Sequence, residues 1–377
     1  MTSAWSADGT GARPVLRLGA DSPGGLALPF AQPTASQMYA PRGVWTDGER
    51  VVVSDTGNHR VLIWHTMPTT DGAPADVVIG QPDFSSEGPA AACGDTERGL
   101  NLPTGVGVID GDLVVADAWH HRLLAFDGVP EEDFAAPVRI LGQEDPHAVE
   151  PNRGGEPSLR TLYWPFGFAV VAGNFWVADT GNRRVLGWFG TDFPDVGRPA
   201  DILLGQDSAD AREDNRGGTA ADSFRWPHAV AGDTRTLYVA DAGDHRVLGW
   251  SPPPLADAPA SLVLGQAGMS VTDEFKNRPQ GAERLRFPYA VVSDDERLLV
   301  ADTSNNRILI WHDLPRTADV SLPDTVLAQP DMDANGENRW TAVADDTLCW
   351  PYGLSLAGDL LAIADSGNNR VMFWRVD

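Results

Sequence analysis

The sequence has 377 residues, and its formal net charge of −25 arises from 53 acidic and 28 basic side chains, among which Lys276 is the only lysine. Such a charge repels phosphate backbones, so we expect no nucleic-acid partner. No stretch has the length and apolarity of a transmembrane helix, and the first residues lack the apolar core of a secretory signal. We therefore expect a cytoplasmic protein with no membrane partner.

The first predicted element is a strand at about residues 13–20, which contains the segment VLRLGA. Six copies of one motif follow along the chain: SDTGNHR, ADAWHHR, ADTGNRR, ADAGDHR, ADTSNNR and ADSGNNR. The motif aspartates are separated by 62, 62, 62, 61 and 63 residues, and they are Asp55, Asp117, Asp179, Asp241, Asp302 and Asp365. This regularity indicates a repeat protein, and we expect residues 1–377 to form a single domain.

Each repeat predicts four strands. The first follows a proline, the second ends at the motif aspartate, the third begins at the motif arginine, and the fourth ends at a glutamine, as in ILLGQ. The sixth repeat contains only three of these strands, so we expect the amino-terminal strand to pair with residues 371–374 and complete the sixth sheet. The sequence thus predicts an all-β, six-bladed β-propeller with four antiparallel strands per blade, its last blade closed by the amino-terminal strand.

The pattern Pro-x-Gly followed by Val-Ala-Asp-x-x-Asn-x-Arg-Val resembles the NHL repeat in all six units. NHL propellers include RNA- and protein-binding modules, extracellular sensor domains and a zinc-dependent lyase that cleaves peptidyl-hydroxyglycine, so the resemblance implies fold more than function. In the lyase-like relatives the zinc-binding histidines lie near the axis, where this chain places only His228. His59, His121 and His245 are expected to lie too far apart to share one ion. We therefore expect no metal and no other cofactor.

Residues that recur in every blade are expected to serve the blade itself. The six Asp–Arg pairs, from Asp55 with Arg60 to Asp365 with Arg370, are expected to hold the turns by charge-assisted hydrogen bonds. Two aromatic series are expected to fill the core between blades, with carbohydrate stacking as the alternative. They are Trp64, Phe126, Trp188, Trp250, Trp311 and Trp374, and, before proline, Trp164, Trp226, Phe287 and Trp350.

Two repeat positions differ from blade to blade, and both are predicted to lie near the axis because the first strand of each blade is the innermost. The position after the proline holds Arg42, Thr104, Phe166, His228, Tyr289 and Tyr352. The position two residues before it holds Tyr39, Asn101, Tyr163, Arg225, Arg286 and Cys349. Tyrosines and cations therefore gather at the mouth of the central channel of an acidic protein.

These positions predict a small-molecule site at the propeller axis. The residues expected to bind a carboxylated or phosphorylated ligand are Arg42, Arg225, Arg286, Tyr39, Tyr163 and Phe166. If the site catalyses a lyase, isomerase or cyclase reaction, we expect His228 to transfer the proton and Tyr289 or Tyr352 to act as acid or orienting donor. The alternative is that these side chains pack into the blades or pair with loop acids.

A second hypothesis is an interaction propeller without catalysis, in which the long loops at 81–103 and 206–227 bind a protein partner. A further motif, Asp331, Asp333 and Asn335, resembles the front of a calcium-binding loop. Its twelfth position is Ala342 and lacks the bidentate glutamate, so an ordinary polar turn is the alternative.

Overall fold

The computed structural model describes residues 11–20, 32–190, 192–274, 278–317 and 321–376. The described chain forms six four-stranded antiparallel sheets arranged as the blades of a propeller. The strands are β1 (Arg13–Gly19), β2 (Gly43–Thr46), β3 (Val51–Asp55), β4 (Arg60–Trp64), β5 (Val77–Ile79), β6 (Val106–Ile109), β7 (Asp112–Asp117), β8 (Arg122–Ala125), β9 (Arg139–Leu141), β10 (Pro165–Val171), β11 (Asn174–Asp179) and β12 (Arg184–Phe189). They continue with β13 (Ile202–Leu204), β14 (Pro227–Gly232), β15 (Leu237–Asp241), β16 (Arg246–Trp250), β17 (Leu262–Leu264), β18 (Pro288–Ser293), β19 (Leu298–Asp302), β20 (Arg307–Trp311), β21 (Thr325–Leu327), β22 (Pro351–Ala357), β23 (Leu360–Asp365) and β24 (Arg370–Arg375).

The helical segments that the structure describes are short 3-10 turns. Six occupy the repeated motif between the second and third strands of each blade: Thr56–Asn58, Ala118–His120, Thr180–Asn182, Ala242–Asp244, Thr303–Asn305 and Ser366–Asn368. Four lie in the connections between blades: Pro89–Ala92, Pro151–Gly154, Asp214–Gly217 and Glu337–Trp340. None of the described helices is long and apolar enough to cross a membrane.

The ring closes through β1, which pairs antiparallel with β24 and gives the sixth blade its outer strand. Leu18 lies opposite Val371 and Leu16 lies opposite Phe373, and both leucines are buried. The predicted pairing of the amino-terminal strand with residues 371–374 is confirmed. Closure leaves β24 paired on both sides, so the sixth blade has the same four-strand width as the others.

A buried clamp holds each repeated turn. In the third blade Asp179 accepts hydrogen bonds from Nε of Arg184 at 2.7 Å and from the backbone N–H of Tyr163 at 2.7 Å, and Arg184 also donates to carbonyls on both flanking loops, at Ala209 and Ser158. Both charged side chains are fully buried, as are the equivalent pairs in the other five blades. We call this the Asp–Arg clamp. Its guanidinium joins the loops before and after the blade, so it ties together the four strands of one sheet.

The two aromatic series have different surroundings. The series that ends the third strands, Trp64, Phe126, Trp188, Trp250, Trp311 and Trp374, is buried in hydrophobic clusters shared by adjacent blades, as predicted. The series before proline is not core: Trp164, Trp226 and Phe287 are partly exposed, and Trp350 is 50% exposed. In that series Trp164, Phe287 and Trp350 have φ near +50°, which turns the ring toward the face of the propeller. The prediction of a core role for this second series is therefore wrong.

Candidate ligand site at the channel mouth

The residues that follow the six prolines form a ring around the axis, and we call it the axial ring. Five of its six side chains contact one another in blade order, and the hydroxyl of Thr104 donates to the carbonyl of Phe166 at 3.0 Å. Ring centroids are 4.5 Å apart for Phe166 and His228, 4.4 Å for His228 and Tyr289, and 4.4 Å for Tyr289 and Tyr352. The Arg42 guanidinium lies 4.8 Å from the centroid of Tyr352. Because the proline opens the innermost strand of every blade, the next side chain of each blade points to a shared centre.

Two cavities adjoin the axial ring. One, of about 130 Å³, lies within the channel and is lined by all six ring members together with inner-strand residues such as Val44, Val106 and Val291. The other, of about 280 Å³, is lined by five ring members and by residues of the repeated turns, including Thr180 and Arg183. Since Arg42, Phe166, His228, Tyr289 and Tyr352 border both spaces, they separate the channel from the mouth. The mouth cavity is close to the lower limit of volume for ligand sites in proteins, which suits a small ligand.

Arg42 is the cation of the axial ring. Its guanidinium has no carboxylate within ion-pairing distance among the described residues, and its buried Nε has no hydrogen-bond partner there. Of the other long cations on this face, Arg183 pairs with Asp214 at 2.7 Å and Arg286 with Glu274 at 2.7 Å. Arg225 stacks on Trp226 and donates to the carbonyl of Gly243. A buried guanidinium nitrogen without an acceptor is unfavourable, so Arg42 is the group with most to gain from an anion.

His228 is held as a neutral imidazole. Its Nδ1 lies 3.0 Å from the carbonyl oxygen of Trp226, which can only accept, so Nδ1 carries the hydrogen and Nε2 is the acceptor of the ring. Burial lowers the pKa of His228 to about 4, and the nearby Arg42 contributes in the same direction, whereas the bond to Trp226 opposes the shift. At neutral pH the site therefore contains a hydrogen-bond acceptor without positive charge.

Tyr289 is held in the protonated form. Burial, and after it the neighbouring Tyr352, raise the pKa of Tyr289 above its ordinary value. The phenol can therefore donate a hydrogen bond, and it is a poor base at any physiological pH. Together the guanidinium, the phenols and the neutral imidazole can bind an anion and orient it.

Four predicted ligand-binding residues do not line either cavity. Tyr39 and Tyr163 lie over the glycines of the repeated turns, where an added Cβ on Gly57 or Gly181 would come within 2.5 Å of the ring. Arg225 stacks on Trp226 at 5.2 Å, and Arg286 is bound to Glu274. The cause is the backbone, because the N–H of this position donates to the motif aspartate, as Arg286 does to Asp302 at 2.6 Å, and so the side chain lies on the turn.

The mouth has an aromatic half that sequence reasoning missed. Trp119 lies in the repeated turn of the second blade, where the other blades have Gly or Ser, and it contacts Trp164 with a centroid separation of 5.3 Å. Both line the mouth cavity together with Trp226. We call Trp119, Trp164 and Trp226 the aromatic cup. A signal was present in the sequence, since Trp119 stands where the other blades have Gly or Ser, and the residue that covers this turn in blade two is the short Asn101.

The histidines beside the motif arginines bind the next blade. Nδ1 of His59, His121 and His245 accepts the backbone N–H of Leu102, Trp164 and Phe287, at 3.2, 3.3 and 3.2 Å. Asn306 and Asn369 do the same for Trp350 and Ala40 at 2.9 Å. We call each of these contacts a junction bond. They link five of the six pairs of adjacent blades, while Arg183 stands at this position in blade three and Trp226 donates its N–H to Asp241 at 3.0 Å.

The histidines are therefore committed to hydrogen bonds between blades. Among the residues that the structure describes, no group of three His, Cys, Asp or Glu side chains is placed to hold a metal ion. At the calcium-like motif, Oδ1 of Asp331 accepts the N–H groups of Asp333 and Ala334 at 2.9 Å. Asp83 and Asp145 make the same turn after earlier blades, which favours the polar-turn interpretation.

Comparison with known proteins supports the fold. A sequence model of the NHL repeat matches residues 100–126. The protein named NHL repeat-containing protein 2 from Bos taurus is 24% identical over 348 residues, which cover 85% of this chain and 44% of that protein. The chain thus spans less than half the length of this relative. The NHL-repeat propeller predicted from the sequence is confirmed.

Solved structures show the same architecture at low identity. The WD40 β-propeller domain of Doa1 is 10% identical with a TM-score of 0.51, and the alignment covers 98% of each chain. Virginiamycin B lyase from Staphylococcus aureus is 10% identical with a TM-score of 0.48, over 92% of this chain and 98% of that one. At these identities the first likeness supports a propeller fold alone, and the second adds no argument about function.

Proposed function

We propose that this NHL-repeat propeller binds a small anionic ligand at the mouth of its central channel. The observation that carries the proposal is Arg42, a partly buried guanidinium without a described carboxylate partner, in a chain whose net charge is −25. In such a chain most arginines find an acid, and the structure pairs Arg183 and Arg286 in this way on the same face. An incoming carboxylate or phosphate would supply the acceptors that Arg42 lacks.

The neighbours of Arg42 suit the same ligand. The phenols of Tyr289 and Tyr352 supply hydroxyl donors, and their rings are stacked at 4.4 Å with an interplanar angle of 16°. Stacking against Tyr352 also restrains the guanidinium before a ligand arrives, which reduces the ordering that binding requires. Among the residues that the structure describes, those lining the two cavities include no Asp or Glu that would repel an anion.

The test measures binding of small carboxylates and phosphate monoesters by isothermal titration calorimetry. Arg42→Met should weaken binding by at least about 30-fold, corresponding to about 2 kcal/mol for removal of a charge-assisted contact in a partly desolvated site. Arg225→Met is the matched control, because Arg225 lies on the same face but outside both cavities. Equal affinities of the two variants would reject the proposal, and so would the absence of binding by the unmodified chain at millimolar concentration.

A second candidate function is proton transfer on the bound anion, supported by the fixed orientation of the His228 ring. Its Nδ1–H is held by the carbonyl of Trp226, so Nε2 is the basic atom of the ring. His228→Gln keeps a polar side chain and should leave anion binding within about threefold while abolishing turnover of any substrate found. Loss of binding without a change in turnover per bound ligand would assign His228 to binding alone.

A protein-binding role through the loops at 81–103 and 206–227 is the remaining hypothesis. It predicts that Arg42→Met leaves the association with a partner unchanged, because Arg42 lies at the axis and not on these loops. A pull-down that compares the unmodified and Arg42→Met chains distinguishes the two cases. Equal recovery of the partner supports this role, and reduced recovery indicates an association that depends on the ligand.

A further inference from the structure

The mouth cavity has two chemically different halves. The aromatic cup comes from the consecutive blades two, three and four, where Trp119 and Trp164 meet at 5.3 Å and Trp226 completes the wall. The opposite half comes from blades five, six and one and supplies Tyr289, Tyr352 and Arg42. The cavity therefore has a π-rich side and a side with Arg42 and two phenols within about 280 Å³, and Thr180 and the ion-paired Arg183 of blade three also line it.

The blade itself does not require Trp119. Its position is occupied by Gly57, Gly181, Gly243, Ser304 and Gly367 in the other blades. The backbone N–H of Trp119 bonds to the carbonyl of Asn101 at 3.1 Å, as Gly57 does to Tyr39 at 2.8 Å, so the turn has the same form with either residue. The indole is thus an addition to the turn, and its ring lies against the mouth cavity.

The aromatic rings form one wall of the cavity. Trp119 contacts Trp164 and Phe166 with centroids 5.3 and 5.9 Å apart, tilted by 33° and 68°, and all three rings border the mouth cavity. Indole faces of this kind favour a flat π system or an organic cation. A cation is disfavoured here because the described lining contains Arg42 and Arg183 and no carboxylate.

We infer that the ligand is a planar aromatic or heteroaromatic anion, with its ring in the aromatic cup and its acid group at Arg42. This inference rests on the proposed function and adds the substrate class. The distance across a single small cavity limits the ligand to one ring system with the acid group attached directly or through a short link. Trp119 is then the residue that determines specificity, and Arg42 is the residue that determines charge preference.

The experiment compares indole-3-carboxylate with cyclohexanecarboxylate and glucuronate by calorimetry on the full chain. The unmodified protein should bind indole-3-carboxylate at least about tenfold more tightly than either non-aromatic anion, in keeping with the usual effect of stacking on an indole. Trp119→Gly restores the residue found in four other blades and should reduce that preference to about threefold or less. Arg42→Met should weaken binding of all three anions by at least about 30-fold.

Trp350→Leu is the control for removing an indole at the mouth. Trp350 occupies the same repeat position as Trp164 and Trp226 but does not line the cavity, and leucine stands there in blade two as Leu102. This variant should retain the full preference for indole-3-carboxylate. Circular dichroism of each variant confirms that the blades are intact.

The two levels of the proposal fail in different ways. Equal binding of the three anions, still lost in Arg42→Met, would overturn the aromatic inference and leave the anion site intact. Tighter binding of glucuronate would overturn it in favour of a sugar acid. Binding of uncharged indole that Arg42→Met does not weaken would overturn the anion site, and the lack of any binding at millimolar concentration would overturn both.

Discussion

The Asp–Arg clamp and the axial ring are built from the same six repeats, yet they follow opposite rules. The clamp has the same two residues in every blade, all fully buried and joined at 2.6 to 3.0 Å. The axial ring has five different residue types in six positions and borders two cavities. A contact needed by every blade must be repeated, whereas a ligand on the axis meets six blades at once and needs a different group from each.

Removal of residues 1–20 should produce the largest loss of stability, because it removes β1 and opens the ring of blades that the clamps help to hold. Without β1 the paired edge of β24 becomes open, and Leu16 and Leu18 leave the hydrophobic cluster between blades six and one. We expect loss of the cooperative thermal transition and self-association, measured by circular dichroism and size-exclusion chromatography. A truncated chain that melts like the full chain would show that closure by β1 is dispensable.

Asp179→Ala should lower the free energy of unfolding by about 3–5 kcal/mol, since it leaves the buried Arg184 without its carboxylate. Urea denaturation measures this change. Asp207→Ala is the control, because Asp207 is largely exposed and faces Arg216 at 3.5 Å, and its loss should have an effect below about 1 kcal/mol. Under conditions where it is folded, the Asp179→Ala chain should retain its affinity for the anion. Selective loss of binding would show that the clamp contributes directly to the ligand site.

The junction bonds should make stability depend on pH. Burial lowers the pKa of His121 and His245 to about 4 and also lowers that of His59, relative to 6.5 for an exposed histidine. Between about pH 6.5 and 4 the unfolded chain binds protons that the folded chain does not, so the free energy of unfolding falls as pH falls through this window. Above about pH 6.5 these histidines are neutral in both states and do not make the free energy of unfolding depend on pH.

His121→Asn tests this origin, because asparagine makes the same junction bond in blades five and six without a titratable group. When the pH falls from 7.5 to 5, the free energy of unfolding of the variant should decrease by about 1–2 kcal/mol less than that of the unmodified chain. Urea denaturation at each pH measures both decreases. The same loss in both chains would assign the acid sensitivity to other groups.

Arg183→Asn should have the smallest effect on stability, and it should raise the free energy of unfolding where the other changes lower it. It places at the junction between blades three and four the acceptor that Asn306 offers to Trp350. We expect an increase of about 0.5–1 kcal/mol in the free energy of unfolding, reduced slightly by loss of the exposed pair with Asp214. A decrease would show that the bond from Trp226 to Asp241 is already the better one.

The contrast between clamp and axial ring also explains what the sequence could predict. Repeat spacing located every blade, and the place of His228, Tyr289 and Tyr352 directly after proline put them on the axis correctly. Those inferences needed only the order of the strands along the chain and the position of each residue within its repeat, and both can be read from the sequence. Buried Trp188 and its equivalents followed for the same reason, because a large apolar residue at the end of a third strand faces the next sheet.

The errors arose where side-chain direction depends on an unusual backbone. Tryptophan disfavours positive φ, so nothing in the residue type suggested that Trp164 adopts φ of +50° and faces the mouth instead of the core. Arg225 and Arg286 were expected near the axis because of their position close to proline, but their N–H groups are fixed by the motif aspartates. The role of Trp119 does not follow from the repeat pattern, because the same turn position is Gly or Ser in the other five blades.

The junction bond has a consequence for how such rings can grow. Each bond runs in one direction, from the backbone of one blade to the turn of the blade before it, and Ala40 makes the same contact to Asn369 that joins blade one to blade six. Blades one, two, five and six thus each carry one donor for the blade before and one acceptor for the blade after, whereas blade three lacks the acceptor and the Trp226 N–H of blade four bonds within its own blade. A duplicated blade would bring both halves of the contact with it. These bonds therefore do not limit the number of blades, and the packing in the hydrophobic clusters that adjacent blades share is the other contact that repeats around the ring.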